Sequence, residues 1–308
     1  MWKNFLKLFL FVSVSFAALE GFGGNQPIET LYEKVLKPNY EKIAPLQEYA
    51  KKRQTAYMIS GALALLVFAL FVKYFKATGA LVALLMIAAG IWYLKTQTPA
   101  ISIYKERFGE YILSPVGMNC CGYRYERGKV TKEEIEASHI FSPKIKTLHN
   151  DEGLFAKKGV RFGYVDIEFD TKENASVERF AQNVFSGVVI EIDRENRQTG
   201  ALVSELLKTK VADVDPEFSA FFADMQRSGK RNGFELFGTV SQEILDKCYP
   251  LADKEIAVSF QPKKTYIFYF MKQNPFDPSV YAHFDLKSAA GYEAAFREID
   301  KIAEQCRQ

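Results

Sequence analysis

The sequence predicts an α+β protein: an antiparallel transmembrane helical hairpin followed by a soluble domain that mixes helices with antiparallel sheet. Two nearly charge-free apolar runs between Ala56 and Leu94 predict the hairpin. Short segments with period-two alternation, interleaved with capped helical segments after about Ser138, predict the domain. The chain then divides into a signal-like or hydrophobic segment (1–24), a helical juxtamembrane leader (25–54), the hairpin (55–97) and the α+β domain (98–308).

At the start, Lys3 and Lys7 surround an apolar stretch from Phe5 to Leu19, and Ser15-Phe16-Ala17 has a small-x-small pattern. That is the outline of a secretory signal. Gly21–Pro27 follows as a Gly-rich connector. Ile28–Gln54 carries a helical pattern in which Pro38 and Pro45 are expected to break or kink the helix.

The first apolar run, Ala56–Val72, extended to Phe75, spans roughly 30 Å as a helix, the thickness of a hydrocarbon core. Its Ile, Leu, Phe and Val residues contribute roughly −3 to −5 kcal/mol toward insertion. The second run, Thr78–Leu94, is near the short limit for a span. Trp92 and Tyr93 at one end and Tyr74 and Phe75 near the other suit the interfacial aromatic belts. The link around Lys76, Ala77 and Thr78 is short enough to force adjacent antiparallel helices. Ser60, Gly61, Ala64, Gly79, Ala83 and Gly90 supply the small residues such packing needs.

Orientation follows from the basic residues beside the spans. Lys51, Lys52 and Arg53 precede the first, Lys95, Lys105 and Arg107 follow the second, and the link carries Lys73 and Lys76. This bias predicts a multi-pass inner-membrane protein with its C-terminal domain in the cytoplasm. A working signal in residues 1–19 would invert the hairpin and leave the domain in the periplasm.

Beyond the hairpin, Ile101–Leu113 reads as a helix and Cys121–Arg127 as a short strand. Val160–Phe169 and Val184–Asp193 alternate as strands, with Gly187 allowing a bulge or a close backbone approach. Glu255–Phe260 and Thr265–Met271 flank Gln261–Lys264 as a hairpin with a four-residue loop. Asp215-Pro216-Glu217 starts a short helix, and Ser241–Leu251 follows Phe234–Phe237 as another. Near the end, Tyr292, Phe296, Ile299, Ala303 and Cys306 repeat at helical spacing as one apolar seam. The seam either covers the sheet or meets a partner helix through Tyr292, Phe296, Ile299 and Ala303.

Taken together, the leader Leu31-Tyr32-Glu33, the two spans, Ser138–Ser142, Gly163–Asp166, Phe185–Val189, Pro216-Glu217-Phe218 and the Ile256–Phe260/Tyr266–Phe270 hairpin resemble a family. It is a family of uncharacterised bacterial two-span membrane proteins known only as a domain of unknown function. The resemblance runs from about Ile28 to Ala303 and rests on order and pattern. Phe-Ser-Gly stands where members often carry Phe-Lys-Gly, and residues 1–25 fall outside the pattern. The resemblance implies an architecture and brings no reaction.

A net charge of +3 over 308 residues gives no nucleic-acid footprint. Cys120, Cys121, Cys248 and Cys306 match no zinc or redox spacing; the adjacent pair would allow a vicinal disulfide, with idle thiols the simpler reading. No phosphate loop, dinucleotide fingerprint, zinc-protease motif, EF-hand or nucleophile elbow is present, so neither cofactor nor metal is expected. His139, His149 and His283 read as structural or solvated residues. Asp166, Glu168, Asp170, Glu191 and Asp193 share parity within two strands. That allows a paired-carboxylate site, and a solvent-facing sheet surface is the plainer reading. The loop Gln226–Gly233 groups Arg227, Lys230 and Arg231, where cations would attract an anionic leaflet.

The expectation is therefore a membrane-anchored binding or scaffolding domain. Its partners would be the bilayer, anionic headgroups or an unidentified membrane or soluble protein. The alternatives are a membrane-associated enzyme of unfamiliar type and an accessory subunit of a membrane complex.

Overall fold

The computed structural model describes residues 25–95, 99–141, 145–150, 153–169, 184–207 and 226–307. The signal-like segment, Asp170 and the helix expected at Asp215-Pro216-Glu217 lie outside them.

Among the described residues the fold is α+β, built on one antiparallel sheet. Its strands are β1 Arg124–Glu126, β2 Ile145–Asn150, β3 Leu154–Lys157, β4 Val160–Phe169, β5 Val184–Asp193, β6 Gly200–Ser204, β7 Arg227–Arg231, β8 Phe234–Gly238, β9 Ile256–Gln261 and β10 Lys264–Phe270. They lie in the order β1-β3-β4-β5-β10-β9-β6-β8-β7, and β2 pairs with the far half of β4. β4 and β5 begin and end where their alternation predicts. The β9–β10 turn is tighter than expected: Gln261 pairs with Lys264, leaving a two-residue loop. At Gly187 the ladder to β10 is continuous and there is no bulge. A Cβ there would lie 2.2 Å from the Tyr269 carbonyl oxygen, so the glycine permits close backbone approach.

Both faces of the sheet are buried, which is why its strands are more apolar than a half-solvated strand requires. On the first face, Val160, Phe162, Val188, Ile190, Ile192, Val258 and Ile267 meet the helices. On the second, Val165, Ile167, Phe169, Val189, Ala257 and Phe268 pack with Ile135 and Ile140. Ile135 comes from a short helix, Lys132–Glu136, started by a reciprocal cap between Thr131 and Glu134.

The helices on the first face begin with α1 Ile28–Leu31, which passes through a π-helical turn, Tyr32–Leu36, into α2 Lys37–Lys95. Neither proline breaks the leader. Pro38 directly follows the π turn, where the Lys37 N–H reaches back five residues to the Tyr32 carbonyl and the wider backbone accommodates the missing N–H. Pro45 lies inside the helix, and the burial of Tyr40, Ile43, Gln47 and Ala50 overrides its cost. The leader is thus part of the domain core and not a separate juxtamembrane element: Leu31, Leu36, Tyr40, Ile43 and Ala50 sit in one cluster with Tyr104, Phe108 and Phe284.

Helix α3 Pro99–Phe108 continues through a second π turn, Gly109–Leu113, into α4 Ser114–Cys121. The helix expected to end at Leu113 therefore runs one element further, because Pro115 occupies a first-turn position and Gly122 in the left-handed region supplies the stop. The remaining helices are α5 Gln242–Cys248, capped by Ser241, and α6 Leu286–Arg307.

The expected break at Lys76–Thr78 is not seen. Helical backbone is continuous from Lys37 to Lys95, and a second hairpin helix is not a separate element. The link residues, Lys-Ala-Thr, include no proline, so helical backbone carries through them even where the rod changes direction. Among the described residues, one helix is long and apolar enough to cross a membrane. Within it Leu36 and Ala50 are fully buried, whereas Leu65 is 69% and Leu66 59% exposed.

Candidate functional site

The residues that suggested chemistry do not converge. Arg161 pairs with Glu191 and Asp166 with Ser186 across β4 and β5. Glu191 and Asp193 therefore share one face while Asp166 and Glu168 share the other, about 17 Å away along the strands. That separation removes the paired-carboxylate arrangement. Glu191 is buried and held by Arg161 at 2.7 Å and by Lys264. Arg161 also meets Glu134, forming a small charge network beneath Tyr266. His149 is exposed and stands opposite Asp166, His139 is exposed in the left-handed region, and His283 packs edge-on to Tyr40 at 5.4 Å.

The basic triad is not presented by a loop. Arg227, Lys230 and Arg231 lie on β7, an edge strand, and the turn is Asn232-Gly233, both residues at positive φ as a two-residue hairpin loop demands. Adjacent Lys230 and Arg231 point to opposite faces. Arg227 reaches Glu235 at 2.5 Å, a charge contact, and Lys230 lies 3.7 Å from Glu205. Carboxylates thus answer two of the three cations. The terminal seam is likewise spoken for: Phe296, Ile299 and Ala303 are buried against the chain's own core and Tyr292 packs at its edge. They leave no free stripe for a partner helix.

The four cysteines are free thiols. Cys120 and Cys121 are half-buried at the end of α4. Contact with the Cys120 thiol holds Cys121 below the ordinary thiol range; burial opposes this, and Arg297 and Lys157 assist it. Cys120 is pushed up by the same contact and by burial, and Cys306 by its buried neighbour Cys248. A maleimide at neutral pH should modify Cys121 first and Cys120 more slowly, with Cys248 and Cys306 untouched until the domain unfolds. Peptide mapping over a time course checks the order; equal rates at Cys120 and Cys121 would refute it.

A cavity of about 260 Å³ lies at the β1–β3–β4 end of the sheet. Helix α3 contributes Ile101, Ser102 and Lys105, the sheet contributes Tyr125, Asn150, Phe155 and Tyr164, and the segment before α6 contributes Phe276 and Asp277. Its walls are mainly carbon. Two glycines shape them: a Cβ on Gly109 or Gly153 would come within 2.4 or 2.2 Å of the Tyr125 ring. That ring is therefore fixed as a flat wall.

Polar groups are few and placed. Lys105 and Asp277 form an ion pair at 2.7 Å, so the rim is neutral overall. The Tyr164 hydroxyl donates to the Met271 carbonyl at 3.2 Å. Asn150 Oδ1 is buried and has no hydrogen-bond partner among the described residues. The hollow is thus apolar with few polar groups around it.

The cavity borders the place where α2 leaves the domain. Gln47 accepts from Tyr40 at 2.5 Å and donates to the carbonyls of Ser279 (3.2 Å) and Ala282 (2.8 Å), tying the segment after Pro278 to the helix. Ala56, where the apolar run starts, is about 14 Å further along the helix axis. These cavity residues come from positions 101 to 278, and no local pattern in the sequence marks them. Asn150 sits in the polar stretch His149–Glu152, which reads as a solvated loop until β2 carries it inward.

Comparison of the chain with protein-family models, with curated proteins and with solved structures finds no match.

Proposed function

We propose that this chain is a membrane-anchored binding protein, in which a two-span hairpin holds the α+β domain at the surface of a cell inner membrane. The observation that carries the reading is the change of environment along α2. One face of the helix, Tyr40, Ile43, Gln47 and Ala50, is buried in the domain, and beyond it the helix exposes Tyr57, Met58, Ile59, Leu63, Leu65, Leu66 and Leu70. In water such an apolar surface costs roughly 25 cal/mol per Å² left exposed, and a hydrocarbon layer removes the cost.

Chain connectivity supports a reversal within α2. An unbent helix would place Lys95 about 82 Å from Tyr40, while the chain from Lys95 to Phe108 reaches at most about 47 Å. Yet the Tyr40 and Phe108 rings both pack on Phe284, at 5.3 and 5.6 Å. The shortfall of about 35 Å exceeds what two side chains meeting at one ring can span. Equal arms leaving at Ala50 and returning at Pro99 put the reversal near residue 75, within the Lys73–Thr78 stretch. Each arm then measures about 37 Å, enough to cross a bilayer core with some tilt. The order of leader, two spans and α+β domain is also that of the bacterial two-span family the sequence resembles.

Lys51, Lys52 and Arg53 on one flank and Lys95, Lys105 and Arg107 on the other favour a cytoplasmic domain. These residues, beside the apolar run, are better placed for anionic headgroups than β7. That strand lies at the opposite edge of the sheet, about 38 Å from β1.

Spin labels on Lys51→Cys and Lys95→Cys, with the native cysteines replaced by serine, test the reversal in reconstituted vesicles. A hairpin brings them within about 25 Å, whereas a straight helix separates them by about 66 Å. A dominant distance near the longer value would overturn the two-span reading.

A further inference from the structure

We infer that Cys120 and Cys121, the last two residues of α4, form a chelating site for a neutral, thiophilic trivalent centre of the arsenic class, which binds by exchanging two hydroxyls for the two sulfurs. This goes beyond the anchored binding function proposed above and does not rest on it, because every group the site needs lies in the α+β domain.

The chain itself places the pair. Two thiols on adjacent residues ride one helix end, and Gly122, at φ 79°, stops the helix immediately after them. Both cysteines are half-buried and within reach of solvent, whereas Cys248 and Cys306 are each 1% exposed. The Cys120 thiol donates to the Cys121 sulfur, so the two sulfurs are already in contact.

That contact suits a chelate better than a disulfide. Consecutive Cα atoms stand about 3.8 Å apart, below the roughly 4.4–6.8 Å that disulfides usually span. Closing an S–S bond would require the last turn of α4 to unwind. That turn is held by the Gly122 N–H and by the Tyr123 N–H, which donates to the Gly117 carbonyl at 3.1 Å. A centre with bonds to sulfur of about 2.3 Å, set near right angles, asks for less: its sulfurs sit about 3.3 Å apart. Two thiols in hydrogen-bond contact reach that spacing by small side-chain rotations.

Zinc is a poor match. A closed zinc site takes four ligands, and among the described residues no third histidine, cysteine or carboxylate completes the pair. A trivalent arsenical needs two protein sulfurs only, its third position staying with its own carbon or hydroxyl.

Charge points to a neutral incomer. Arg297, Lys157, Glu293 and Asp300 face the pair. Arg297 is bonded to Glu293 at 2.6 Å, and Lys157 to Asp300 and Glu304, so each cation is matched by a carboxylate and none is left to draw an anion. An uncharged hydroxide of trivalent arsenic meets no opposing field. The exchange balances without an oxidant. Two As–O bonds break, two As–S bonds form, and each thiol proton leaves with a hydroxyl as water.

The test uses the full-length protein in detergent with phenylarsine oxide as the probe. Intact mass should show one phenylarsenic unit gained in place of two protons, and peptide mapping should place it on Cys120 and Cys121. Both thiols should then be shielded from maleimide together. A 1,2-dithiol should release the probe, and an equal concentration of a monothiol should not. Cys120→Ser and Cys121→Ser should each weaken binding by about 10²–10⁴-fold, the advantage of holding one centre at two linked points. Cys248→Ser should leave binding unchanged. Prior modification of Cys121 by maleimide should abolish uptake in the native chain, which tests the site without relying on a variant's folding.

Unchanged affinity in either serine variant with a native near-ultraviolet circular dichroism spectrum overturns the site. So does uptake at Cys248 and Cys306 in the folded protein, release by the monothiol, or full uptake after Cys121 is blocked.

Discussion

Phe296→Ala is expected to destabilise the soluble domain by about 3–5 kcal/mol, the range for deleting a fully buried phenylalanine. The ring is the hub of an aromatic cluster, with Phe276 at 4.7 Å, Phe155 at 5.0 Å, Phe162 at 6.0 Å and Tyr123 at 6.3 Å. It is wholly inaccessible, and Gly117 on α4 is close enough that a Cβ there would stand 2.9 Å from it. Neighbours held by α4, β3 and β4 cannot collapse into the space together. Ile299→Val, one turn along the same helix, should cost only about 0.5–1.5 kcal/mol. Denaturant unfolding of the detergent-solubilised chain, followed by near-ultraviolet circular dichroism, measures both. A Phe296→Ala loss below about 1 kcal/mol would contradict the packing. The same geometry changes the meaning of a charged replacement: Phe296→Asp should unfold the domain and not merely detach a partner.

The second large effect concerns the apolar run. Replacing Leu65 and Leu66 together by arginine exchanges two favourable residues for two charges near mid-span. On a translocon-type scale that costs about 3–4 kcal/mol per position. The wild-type chain should stay with vesicles through an alkaline carbonate wash, and the double variant should be largely released. Both leucines project away from the protein, at 69% and 59% exposure, so the folded domain should keep its unfolding midpoint. Retention of the double variant in the pellet would mean that lipid does not surround this part of α2.

The elements whose geometry depends on neighbours in sequence were legible there. The ends of β4 and β5 follow from alternation bounded by turn residues, and α6 follows from the four-three spacing of Phe296, Ile299 and Ala303. Ser241 announces α5 by its cap. What failed was settled at a distance. Pro45 looked like a helix breaker because the local cost is plain, whereas the compensation, burial against Tyr104, Phe108 and Phe284, comes from residues at least fifty positions away. Gln226–Gly233 reads as a cationic loop because Gly229 and Gly233 both permit a turn. The Asn232-Gly233 pair marks the actual turn, and Glu235 and Glu205 take up its neighbours' charge. The carboxylates of β4 and β5 shared parity within each strand, but the register between the strands, which no local pattern fixes, put them on opposite faces. The cavity was the least visible of all, since its floor and walls meet only once the helices have packed on the end of the sheet.

Seating Leu36–Ala50 in the core and continuing the same helix into the apolar run leaves no slack joint between the two. Azimuth is then a property of residue count: one amino acid added between Ala50 and Ala56 would swing everything below by about 100° around the rod, and seven would nearly restore the heading. A rotation or tilt of the rod reaches the Phe284 ring as a rigid-body displacement, with no hinge to absorb it.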